Sequence, residues 1–144
     1  MAESNLWNRP GIGHVGSYQV SGIPYLTGST LLASEFSTNE AEQLFHFPYV
    51  SKAITVVNTA TGGVGIKVHY NSLSDAGRVG DGHHYVTLSG SKESITMFHK
   101  SKHIYVSLLS SSAIQENATF EIIADLTHIK ASEMFPLTGS GLTD

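Results

Sequence analysis

The chain has 144 residues, enough for one domain with a sizeable core, and no cysteine, which excludes disulfides, thiolate metal sites and cysteine nucleophiles. Charged residues make up only 14% of it, well under the ~25% of typical soluble domains, and the formal net charge is −4. That balance excludes the basic footprint of a nucleic-acid binder. No run approaches the roughly 18 apolar residues of a membrane span, so neither nucleic acid nor membrane is expected as a partner.

The first 29 residues combine glycines and two prolines with Trp7, Tyr18 and Tyr25. This is too rich in Gly and Pro for a helix and too aromatic for an idle linker. The expectation is an extended arm over residues 1–24, whose rings bury against a neighbouring chain. Trp7 and Arg9 are residue types common among interface anchors. The N-terminus lacks the basic and apolar regions of a signal peptide, so synthesis in a cytosol without general export is expected.

A β domain is expected over residues 25–129. Leu26–Ala33 reads as a first strand, weakened by Gly28. Gln43–Phe47 is a short strand stopped by Pro48, and Ala53–Asn58 is β-branched and strand-like. Thr59–Gly63 ends in Gly-Gly, a hairpin signal. Val64, Ile66, Val68 and Tyr70 then alternate with Gly65, Lys67 and His69. Asn71–Gly82 is a polar, glycine-containing loop. His84, Val86 and Leu88 alternate next, then Ile95 and Met97, then Ile104, Val106 and Leu108. The longest strand, Ala118–Ile129, puts Phe120, Ile122, Ala124 and Leu126 on one face. Lys130–Met134 reads as a single helical turn, opening a C-terminal tail over 130–144 that carries Phe135 and Leu137. Seven or eight short strands with turns every 8–12 residues predict an all-β antiparallel sandwich or jelly roll. The expected core is Val64, Ile66, Val68, Ile95, Met97, Ile104, Val106, Phe120, Ile122 and Leu126.

No catalytic constellation emerges. His83 and His84 are adjacent, so a strand would point them to opposite faces. His99 and His103 flank a turn, and His69 could join them, but no fixed ligand spacing supports a metal site. Glu121 and Asp125 would stand roughly 13–14 Å apart along a strand, beyond the ~5–9.5 Å of a glycosidase carboxyl pair. No Gly-x-Ser-x-Gly elbow is present, and Gly11-x-Gly13 follows no strand. The expectation is a non-enzyme without cofactor or metal.

Three stretches carry a resemblance. They are Ser17-Tyr18-Gln19-Val20-Ser21-Gly22-Ile23-Pro24-Tyr25 with Thr27-Gly28-Ser29; Phe47-Pro48-Tyr49-Val50 running into Ile54-Thr55-Val56-Val57-Asn58; and Met134-Phe135-Pro136-Leu137-Thr138-Gly139-Ser140-Gly141. In style they resemble small virion proteins of tailed bacteriophages, especially those of cyanobacteria and marine bacteria. The resemblance transfers no catalytic residue. It implies a structural β protein of the virion, foremost a capsid decoration (cement) protein, oligomeric with a trimer favoured, bound to the major capsid protein. Trp7, Arg9, Tyr18, Tyr25, Phe135 and Leu137 are the expected partner contacts. A tail, neck or fibre-base component is the alternative, as is a carbohydrate-binding sandwich using Tyr70, Tyr85 and Tyr105, or a cupin-like enzyme built on the histidines.

Overall fold

A computed structural model describes residues 22–32, 42–61, 64–72, 84–109 and 117–142. It holds eight strands: β1 (Ile23–Leu31), β2 (Glu42–His46), β3 (Tyr49–Asn58), β4 (Ile66–His69), β5 (Val86–Leu88), β6 (Ser94–Met97), β7 (His103–Leu108) and β8 (Ala118–Lys130). A 3-10 turn at Ala131–Glu133 follows, within the segment expected to make one helical turn.

The strands form two four-stranded antiparallel sheets, β1-β8-β3-β6 and β2-β7-β4-β5. Every strand of the first half pairs with its mirror in the second: β1 with β8, β2 with β7, β3 with β6, β4 with β5. The chain is thus one long hairpin, rolled up so that β8 also meets β3 and β7 also meets β4. That is the jelly-roll order. It corrects the hairpin expected at Thr59–Gly63. β3 and β4 lie in different sheets, and the chain there crosses from one to the other.

Period-two patterning explains the interior. Ile54 and Val56 of β3 pack with Phe120, Ile122, Ala124 and Leu126 of β8 from the first sheet. Ile66, Val68, Ile104, Val106 and Leu108 come from the second. Phe45 meets Phe120 edge-on, ring centroids 5.6 Å apart, and so joins the two sheets. Nine of the ten expected core residues are buried, and Ile95 is half-buried because β6 is a sheet edge.

Asn58 is the polar exception inside. Fully buried at the end of β3, it donates from Nδ2 to the carbonyls of Val64 (2.9 Å) and Leu88 (3.1 Å) and accepts from the Ala60 N–H (2.9 Å). One amide thereby satisfies three backbone groups where the chain leaves regular ladders. Its own carbonyl accepts from Lys92 N–H at 2.6 Å, and Lys92 holds φ +69°, a left-handed conformation rare outside glycine. The β5–β6 turn is closed further by Glu93, whose carboxylate accepts from the N–H groups of Ser89 (2.7 Å) and Gly90 (3.0 Å).

β1 begins at Ile23, three residues before the expected start, and pairs with β8 along its whole length. Tyr25 is therefore a strand residue, half-buried and edge-on to Phe47 (centroids 5.2 Å). Gly22 lies directly against the Leu126 carbonyl, where any side chain would collide with β8 backbone.

Beyond Leu126 the burial phase of β8 flips, opposite a bulge in β3 around Ser51. Thr127, which strict alternation from Leu126 would put on the outer face, is instead buried, and its hydroxyl donates to the Val50 carbonyl (2.8 Å). Val50, Ile129 and Met134 make a second small cluster, with Leu137 packed on it.

Candidate functional site

Alternation gives each sheet an outer face, and the two differ in kind. On the first sheet, Leu26 of β1 sits opposite Ile123 of β8, which sits opposite Thr55 of β3, which sits opposite Thr96 of β6. This row runs straight across the sheet. Leu26 is 72% exposed and Ile123 45%, while Phe98, just past β6, is 77% exposed. Glu121 and Asp125 flank Ile123 on β8 and are exposed. The only side-chain bond described across the row is Thr55 to Thr96 at 2.9 Å.

The outer face of the second sheet is cross-linked. β2 contributes Glu42, Leu44 and His46; β7 contributes Ser107, Tyr105 and His103 directly opposite them; β4 adds Lys67 and His69. His69 is buried although it is on the outward phase. Its Nδ1 lies 2.7 Å from the Asn71 carbonyl, which can only accept, so Nδ1 carries the proton. Nε2, 2.9 Å from Ser107 Oγ, therefore accepts the serine hydroxyl. Tyr105 stacks on the imidazole (5.6 Å, 9°). Glu42 Oε2 stands 4.0 Å from Nε2, and Glu42 Oε1 accepts from Ser72 at 2.7 Å. Burial holds the His69 pKa below the usual histidine value, against the opposing pull of the Asn71 carbonyl and Glu42.

At the other end of the face, His46 and His103 stand directly opposite on β2 and β7, rings 6.2 Å apart. His103 Nε2 donates to the Tyr70 carbonyl at 2.8 Å. Burial lowers its pKa against the opposing pull of the Tyr70 carbonyl, and His46 and Lys102 lower it further. The Tyr70 hydroxyl turns inward to Met97 Sδ (3.4 Å), and burial lifts its pKa above the ordinary tyrosine range.

The tail after β8 is tied to this end of the sandwich. Ala131 N–H donates to the Pro48 carbonyl (3.2 Å), Lys102 Nζ to that of Met134 (3.2 Å), and Asn71 Nδ2 to that of Leu137 (2.9 Å).

Of the expected partner contacts, Trp7, Arg9 and Tyr18 lie outside the described residues. Tyr25 packs on Phe47 inside the molecule, Leu137 packs on the Val50–Ile129–Met134 cluster, and Phe135 between them in sequence is 59% exposed. Tyr70, Tyr85 and Tyr105 do not share a groove: Tyr70 packs on the core, Tyr105 lies on His69, and Lys67 Nζ sits 4.7 Å over the Tyr85 ring.

His69 and His103 do share a face, but both nitrogens of His69 and Nε2 of His103 are engaged in hydrogen bonds. His99 is set apart, edge-on to Tyr70 at 5.8 Å. Among the described residues no three His, Asp or Glu side chains converge as metal ligands would.

The His69–Ser107–Glu42 network was missed by sequence reasoning. Each member falls on a polar strand phase, and only the register of β2, β7 and β4 brings them together. No protein-family model matches the sequence, and no curated protein matches it either.

Proposed function

We propose that this chain is a non-enzymatic structural protein of a tailed-phage virion, a capsid decoration protein that binds between major capsid subunits and stabilises the assembled head. One observation carries the reading: the inward faces of the two sheets share one apolar cluster, while Leu26, Ile123 and Phe98 remain exposed outside it. Jelly rolls recur in viral capsid proteins, lectins and cupins. Cupin chemistry would need ligands inside the roll. The inward phases of the described strands carry no histidine or carboxylate. A lectin groove would need aromatic rings facing one cleft, and the three candidate tyrosines diverge.

What supports surface-to-surface binding is the first sheet's outer face. Leu26, Ile123 and Phe98 are apolar and exposed, Thr55 and Thr96 continue the row, and Glu121 and Asp125 stand on either side of Ile123. An apolar row with polar groups beside it suits a protein interface. A protein that binds only assembled subunits stabilises them through linkage.

The test is binding of purified protein to mature heads lacking it. Full-length protein should decorate the heads and raise the temperature at which they rupture. Removal of residues 1–16 should weaken binding with the sandwich still folded. Equal binding by the truncated protein would remove the arm from the account. Recovery of the protein only with tails would overturn the decoration role.

A further inference from the structure

The two histidine sites on the second sheet's outer face are wired oppositely for acid. Protonation of His69 falls on Nε2. There the Ser107 hydroxyl can reverse to accept, and the Glu42 carboxylate waits 4.0 Å away. The new charge meets a counter-ion. His103 already carries its proton on Nε2, because the Tyr70 carbonyl can only accept. A second proton makes it a cation whose charged neighbours are His46 across the strand pair and Lys102 beside it in the chain. Tyr70 presents a carbonyl and Tyr105 a ring edge (5.4 Å), and no carboxylate among the described residues acts on the site. Glu42, the acidic residue of β2, sits at the strand's far end opposite Ser107.

Like charges directly opposite each other destabilise an antiparallel pair. The strand carrying His46 is also lightly held. β2 is five residues long, lies at a sheet edge and pairs with β7 alone. His103 also holds the Tyr70 carbonyl, one residue before Asn71, whose side chain pins the C-terminal segment at Leu137.

We propose that the His46–His103 pair is an acid-operated release for β2 and for the C-terminal clamp beside it. Above the ordinary histidine pKa of about 6.5 the His103 ring is neutral and the strand stays paired. The folded-state pKa of His103 lies below its unfolded value, so the unfolded or opened form binds more protons in the window beneath 6.5. Stability that is complete above that value is lost as pH falls through the window. The inference concerns the isolated protein and does not rest on the virion reading.

Backbone amide exchange at pH 7.5 and 5.0, corrected for intrinsic rates, tests it on the full chain. Protection of Glu42–His46 and of Ala131–Leu137 should fall by up to about tenfold per pH unit within the window, while the centre of β8 holds. His46→Gln, at an exposed position, should reduce the acid loss in part, since burial of His103 remains. His103→Gln, which can still donate to Tyr70, should remove most of it. His128→Gln, on exposed β8, should change nothing. An acid loss in His46→Gln equal to that of the parent would overturn the proposal, as would β2 amides that exchange no faster than those of β8 at pH 5.0.

Discussion

The outer faces of the two sheets are built on the same alternating pattern and end up as different materials. On the first sheet the outward residues Leu26, Ile123, Thr55 and Thr96 stand in a row, with one hydroxyl contact described across it. On the second, the outward residues Glu42, His69, Ser107 and Tyr105 are locked to one another and to the backbone of Asn71. Among the described residues the first face has no such bracing. The second is already spent, because the chain after β4 and the tail after β8 are fastened beside it. Outward phase in a strand therefore does not mean available surface: His69 is outward and 1% exposed, Leu26 outward and 72% exposed.

The comparison can be broken from the inside out. The largest effect should come from the interior that both faces share. Phe120→Ala removes the ring that Phe45 meets edge-on between the sheets, and should cost about 3–5 kcal/mol in chemical denaturation. Asn58→Ala orphans the Val64 and Leu88 carbonyls and the Ala60 N–H together, and should cost on the order of 3 kcal/mol by the same measurement. An Asn58→Ala protein as stable as the parent would show that water replaces the amide.

Much of the interior was legible beforehand. Val64, Ile66 and Val68, or Phe120, Ile122 and Leu126, announce an inward face by period two alone. The order of the strands was not legible. The Thr59–Gly63 stretch reads as a hairpin, yet β3 and β4 lie in different sheets, and β3 pairs with β8 and β6 instead. The start of β1 was missed because Pro24 and Gly28 argue against a strand. Both are tolerated here since β1 lies at a sheet edge. The polar network was invisible for a related reason. His69 and Ser107 are 38 residues apart and meet only through register.

The two faces should also respond differently to single changes. Ser107→Ala leaves His69 Nε2 buried without its donor and should cost about 1–3 kcal/mol. Ser107→Thr, which keeps the hydroxyl, should recover part of that loss. Leu26→Ser on the open face should move stability by no more than about 0.5 kcal/mol, since nothing in the described structure packs over it. A Leu26→Ser protein destabilised as much as Ser107→Ala would mean that the two faces are alike after all.

The central claim, that the first sheet's outer face is a binding surface and the second's is internal bracing, meets its most direct test in one measurement. Leu26→Lys with Ile123→Glu, which places opposite charges across the β1–β8 pair, should leave the unfolding midpoint of the isolated protein nearly unchanged. In a sedimentation assay with mature phage heads, the same protein should bind at least about tenfold more weakly, the loss expected when apolar contacts worth about 1.4 kcal/mol or more are replaced by charge. Unaltered binding by that folded double variant would contradict the account.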